Sequence, residues 1–169
     1  AALDIALWDI KGKRTGLPIY KLIGGAWKTA IPFYASIGGN GDRSVEQVCK
    51  VVEQRLKDMP SAVKIRFDNT RTTLDADIPG DIEKARAVRK LVGDGFPLAF
   101  DANNRYAIGA AIRVGRVLEE LGYVWFEEPV DPLDYLAHQV IAEESSVPLA
   151  TGENLFSAQD FRNLLRHGG

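Results

Sequence analysis

Asp101, Glu127 and Glu153 each follow a short apolar run, and the two intervals between them are both 26 residues. The runs are residues 97–100, 123–126 and 147–150, and segments with helical periodicity separate them. A repeating unit of apolar strand then amphipathic helix, without a hairpin turn, admits few folds. Its strands run parallel, and the helices serve as crossovers.

The same unit is legible upstream. Residues 30–36 form an apolar run closed by Gly38 and Gly39, and residues 62–67 predict a second strand. Ser44 with Gln47 has the spacing of a capping box, and Val45, Val48, Val52, Leu56 and Met59 make a helical stripe after it. Further helices are predicted over 81–92, 107–121, 134–144 and 157–166, which gives five strand–helix units in all. Before them, Leu3, Ala6, Leu7 and Ile10 have helical spacing up to a break at Gly16, Leu17 and Pro18. A short turn over 19–23 follows, ending at Gly24 and Gly25.

Two α/β architectures accommodate this order, an open doubly wound sheet and a (β/α) TIM-type barrel. No glycine-rich phosphate fingerprint follows the first strand, which weakens the nucleotide-binding form of the open sheet. Five units are fewer than a closed barrel of about eight requires, so a barrel reading places the remaining strands beyond Gly169. The chain also lacks an initiating methionine and reads as an internal segment of a longer protein.

Composition excludes several functions. A net charge of -2 gives no bulk electrostatic reason to bind nucleic acid or an anionic membrane. No apolar run approaches the ~20 residues that span a bilayer, and Asp4 and Asp9 interrupt the opening segment where a signal peptide would be apolar. Cys49 is the single cysteine, so no internal disulfide forms and a reducing cytoplasm is the expected compartment.

In a parallel barrel the carboxyl ends of the strands share one face, where active sites are built. The constant step brings Asp101, Glu127 and Glu153 to similar height on adjacent strands. Three converging carboxylates repel one another, and a hard divalent cation relieves the repulsion; an all-oxygen ligand set suits Mg²⁺ or Mn²⁺. On the second strand, Lys64 and Arg66 alternate with Val63, Ile65 and Phe67, so the two cations share a face. The expected face is the barrel interior, where they meet an anionic substrate. Asp68, Asn69, Thr70, Arg71, Thr72, Thr73, Asp75 and Asp77 form a polar loop expected to overhang this face, and Tyr34 and Ser36 close the first strand beside it. His138 and His167 are expected to be structural, on a surface helix and at a helix end. Trp8, Trp27 and Trp125 are expected to be packing groups.

Residues 1–25 resemble the helix that leads into the barrel domain of the mandelate racemase/muconate lactonising branch of the enolase superfamily. The run VKIRF stands where that branch has Lys-x-Lys, and DAN, FEEP and GEN resemble its three metal-ligand motifs. The resemblance implies that residues 1–25 link to an α+β capping domain, and that 26–169 are the first five βα units of a modified (β/α)7–8 barrel. It implies Mg²⁺ held by Asp101, Glu127 and Glu153, with Asn103 and Asn154 as polar partners close by. By its place at the end of the first strand, Ser36 is a candidate substrate contact. Lys64 would polarise a substrate carboxylate. Arg66 replaces a lysine that serves many members as a base, and a guanidinium stays protonated. The implied base, a His–Asp dyad, then lies outside this chain.

The chemistry implied is removal of the proton α to a carboxylate with stabilisation of the resulting enolate. The leading expectation is dehydration of a sugar-derived hydroxy acid by a homo-oligomer. A racemase, epimerase or cycloisomerase is the alternative within the same chemistry. A metal-binding barrel without catalysis is the alternative from another class.

Overall fold

The computed structural model describes residues 2–67 and 73–167. The chain divides into two compact units, with the boundary between Pro32 and Phe33. The first unit contains helix α1 (Ala2–Thr15) and the short helix α2 (Ile19–Leu22). Pro18 precedes α2 with the extended backbone that proline favours before a helix start. Leu3, Ile5, Leu7 and Ile10 of α1 are all exposed.

The second unit alternates strands and helices throughout. In order they are β1 (Tyr34–Ile37), α3 (Val45–Leu56), β2 (Ala62–Arg66), α4 (Ile78–Val92), β3 (Leu98–Asp101), α5 (Ile108–Glu120), β4 (Trp125–Glu127), α6 (Tyr135–Glu144), β5 (Leu149–Ala150) and α7 (Ala158–His167). Two starts differ from expectation by three residues or more. β1 begins at Tyr34 rather than residue 30, since Pro32 lacks the N–H that a ladder needs. α4 begins at Ile78 rather than residue 81, because Asp77 caps it by accepting from Gly80 N and Pro79 is tolerated in its first turn. The expected capping box at Ser44 and Gln47 is present in full.

The five strands are parallel and lie in sequence order, β1-β2-β3-β4-β5. Sequential order without reversal, with right-handed crossovers, puts every connecting helix on the same face of the sheet. That is an arc of a barrel; a doubly wound sheet would reverse its strand order. Alternation along each strand then sorts the side chains. Ile65, Phe67, Phe100 and Phe126 are fully buried and cluster with Val48, Val52, Val88, Ala111 and Val114 of the helices. The stacking of Phe67 on Phe100 (centroids 4.6 Å apart) and the edge contact of Phe100 with Phe126 (5.7 Å) knit three adjacent strands. The opposite face carries Ser36, Lys64, Ala99 and Trp125 in one register row, and Arg66, Asp101, Glu127 and Ala150 in the next.

Among the described residues, no helix is long and apolar enough to cross a membrane.

Candidate active site

The second register row ends the strands, and the ladder carries on one step beyond it. Phe67 N donates to Asp101 O, Ala102 N to Glu127 O and Glu128 N to Ala150 O. These backbone bonds hold the ends of β3, β4 and β5 level, so that Asp101 and Glu127 emerge side by side on the face turned away from the helices.

Lys64, one row below, reaches up between them. Its ammonium lies 3.1 Å from Asp101 Oδ2 and donates to Glu127 Oε1, with all three side chains largely buried. Burial works to lower the Lys64 pKa, but the hydrogen bond to Glu127 and the charge of Asp101 outweigh it, and the net shift is upward. Burial drives Asp101 the other way for a carboxylate, from 3.8 up to about 6, with Lys64 opposing the rise and Glu127 adding to it. The Asp101 carboxylate also accepts from Asn103 N at 3.0 Å, across a turn in which Asn103 and Asn104 take positive φ (51° and 60°), a conformation asparagine tolerates.

Glu127 is held at both oxygens. Trp125 Nε1 donates to Oε2 at 2.8 Å, and the Trp125 ring stands edge-on to Tyr34 with centroids 5.5 Å apart. Trp125 is therefore a member of the site rather than the packing group expected. Period-two alternation offered the signal, since residues 125 and 127 must share a face. Arg66 is half-buried on the same face, in register with Asp101, and Ser36 is exposed in the row with Lys64.

Glu153 departs from the expected convergence. Among the described residues no three of His, Cys, Asp and Glu come close enough together to hold a metal ion. Asp101 and Glu127 meet at Lys64, whereas Glu153 is exposed, as is Asn154. The physical reason is the shortness of β5, which ends at Ala150 and leaves Glu153 in the turn closed by Leu155 N and Gly152 O. Glu127 and Glu153 both line a hollow of about 330 Å³, together with Trp125, Glu128, Ala150 and Thr151.

Two residues here escaped the sequence reading. Glu128 is fully buried, points away from Glu127, and accepts from the backbone N–H of Gly152 (2.7 Å) and Glu153 (3.2 Å). His138 is fully buried, not on a surface face, and its Nε2 lies 3.1 Å from Thr151 Oγ1. The signal for His138 was its place on the same helical stripe as Ala137 and Ile141, both buried. His167, by contrast, is exposed at the end of α7. Of the polar loop, residues 68–72 lie outside the described residues. Asp75 accepts from Ala107 N at 2.9 Å, which ties this part of the loop to the start of α5.

Residues 44–169 match the enolase C-terminal domain-like family, and residues 1–24 match the N-terminal domain family of mandelate racemase/muconate lactonizing enzymes. A crystal structure of a mandelate racemase/muconate lactonizing protein from Paracoccus denitrificans, complexed with magnesium, is 53% identical. It superposes with a TM-score of 0.90 over 99% of this chain and 45% of that one. L-talarate/galactarate dehydratase of Salmonella typhimurium is 36% identical over 163 residues, 96% of this chain and 39% of that enzyme. The 3,6-anhydro-alpha-L-galactonate cycloisomerase of Streptomyces coelicolor is 35% identical over 168 residues, 99% of this chain and 44% of that enzyme. The chain thus spans less than half the length of the relatives it matches.

Proposed function

We propose, from the premise that this chain belongs to the mandelate racemase/muconate lactonizing branch of the enolase superfamily, that the full-length protein is an Mg²⁺-dependent dehydratase of sugar-derived hydroxy acids. The observation that carries the reading is the buried Asp101–Lys64–Glu127 cluster at the carboxyl ends of adjacent parallel strands. Two carboxylates and one ammonium in a largely buried place leave a site with the hard oxygen donors that Mg²⁺ prefers. Asp101 and Glu127 would hold the ion, joined by Glu153 from the neighbouring turn, and the raised pKa of Asp101 is the expected state of a buried carboxylate that takes a cation. Further support comes from the relatives, among them a dehydratase acting on talarate and galactarate and a structure with magnesium.

Bound there, a divalent cation supplies charge neutralisation for the enediolate left when the α proton departs. The chain's own residues do the rest of the preparation. Lys64 pairs with the substrate carboxylate as the α carbon loses its proton, and Arg66 fixes a second substrate oxygen by a charged, forked hydrogen bond. Without the ion, the hydrogen bond to Glu127 and the charge of Asp101 shift the Lys64 pKa upward and favour the ammonium. Loss of the β hydroxyl as water then gives an enol that tautomerises to the 2-keto acid. The base comes from the part of the protein beyond this chain, and residues 1–25 link to a capping domain over the strand ends.

Cycloisomerisation is the second reading, favoured by the cycloisomerase among the similar relatives. It shares the first step and differs in where the enediolate collapses. Incubating the full-length protein with Mg²⁺ and a panel of acid sugars in deuterated water separates the readings. Keto-acid formation means dehydration, and exchange with a ring-opened or ring-closed product means cycloisomerisation. Metal binding without either would leave a non-catalytic barrel. Glu127→Ala should abolish both Mg²⁺ binding and turnover, and retained turnover would remove Glu127 from the metal site.

A further inference from the structure

Behind the turn that carries Glu153 lies a chain of buried polar groups that the mechanism does not use. Glu128 closes β4 with a φ of 40°, an uncommon conformation for a residue with a side chain. The alternation that turns Glu127 toward the site turns Glu128 toward α6. Its Oε1 accepts from Gly152 N (2.7 Å), Glu153 N (3.2 Å) and Thr151 Oγ1 (3.2 Å). The Thr151 hydroxyl gives its one proton to Glu128, so at 3.1 Å its oxygen accepts from His138 Nε2. At the other side of the ring, Nδ1 is 2.9 Å from Asp134 O, a carbonyl that can only accept, so Nδ1 carries a proton and the ring orientation is set.

Both ends of this chain are fully buried, and an unpaired buried carboxylate is costly. Its donors include the N–H groups of the turn itself. The need for such an anchor follows from the local fold: β5 has two residues, so its ladder alone holds little. Two residues past the strand, Gly152 has φ 121°, and a Cβ there would stand 3.1 Å from the Phe161 ring. So short a ladder leaves the position of the turn to side chains.

We propose that His138 and Thr151 are positioning residues, which hold Glu128 against the 152–153 backbone and thereby set where the Glu153 carboxylate stands. The inference rests on the reading of Glu153 as a metal ligand. It assigns the twin glutamates of FEEP opposite duties: Glu127 serves the site directly, and Glu128 serves it from behind.

The test uses the full-length protein with Thr151→Val, Thr151→Ser and His138→Asn. Amide hydrogen exchange at Gly152 and Glu153 is measured without metal, and Mg²⁺ affinity by titration calorimetry. Thr151→Val and His138→Asn should raise exchange at both amides by about 10-fold or more. They should weaken Mg²⁺ binding by about 10–100-fold, with a smaller fall in turnover at saturating Mg²⁺. Thr151→Ser, which restores the hydroxyl, should restore both. Should His138→Asn fail to fold, Thr151→Val decides, since it leaves the ring in place. Unchanged exchange in Thr151→Val, or Mg²⁺ affinity within about 2-fold of the parent despite faster exchange, overturns the proposal. The metal reading fails separately: if the parent itself binds no Mg²⁺, or Glu127→Ala binds as well as the parent, that reading falls. The exchange data then still decide whether the anchor exists.

Discussion

Single charges in this site do different work according to what surrounds them. Asp101 sits against Lys64 but in a place dry enough that burial wins, and its pKa rises from 3.8 to about 6. A carboxylate whose folded pKa is raised contributes stability that is fully present below its unfolded value and lost as pH rises through the folded one. In the metal-free full-length protein, the stability difference between the parent and Asp101→Asn should therefore shift against the parent as pH rises from about 4 to above 6. Urea denaturation at a series of pH values with chelator present measures it, and a flat difference would mean that Asp101 is not dry. Arg66, one strand away, remains charged at any working pH and is cast as a clamp. Arg66→Lys keeps the charge but loses the fork, and should cost about 1–3 kcal/mol in kcat/KM. Solvent exchange should remain confined to one face of the substrate in the parent. Exchange from both faces would indicate a second base and favour a racemase.

At the scale of elements, the two ends of the strands are built for different purposes. The carboxyl ends carry Asp101, Glu127 and Glu128. The amino ends are tied together by Arg89 of α4, which is 5% exposed and donates to Leu121 O, Gly122 O, Gly93 O and Phe96 O at 2.7 to 3.1 Å. These carbonyls lie in the connections that enter β3 and β4, so one guanidinium sets where two strands begin. Arg89→Met should destabilise the full-length protein by about 2–4 kcal/mol in urea denaturation, because it strands buried acceptors. KM should stay unchanged, since the amino ends are remote from the chemistry. The same division explains what was legible. The capping box at Ser44 and the alternation of β2 are local and could be read directly. The start of α4 could not, because Asp77 competes with Asp81 as a cap and only the observed bond to Gly80 N decides between them.

The second unit is an arc of parallel strands that, among the described residues, ends at β1 and β5, and the first unit is compact by itself. Large apolar groups stand exposed on both units, including Trp27, Ile31, Phe156 and Leu165. Exposed apolar patches and unpaired strand edges promote association. The 169-residue chain alone should sediment as a concentration-dependent mixture and unfold in urea over a broad transition. A sharp, reversible two-state transition of a monomer would contradict this. What the sequence determined by itself is whatever depends on neighbours along the chain. Hydrophobic periodicity set the order of strands and helices, the lack of hairpin signals made the sheet parallel, and period two put Lys64, Asp101 and Glu127 on one face. What tertiary structure decided is which of these groups touch. Lys64 and Glu127 are 63 positions apart, and Thr151 and Glu128 are 23 apart. Such pairs exist only once adjacent strands are in register and α6 has packed His138 behind β5. Local pattern records the face a side chain takes but carries no record of its partner, and so Glu127 and Glu128 looked alike until the fold separated them.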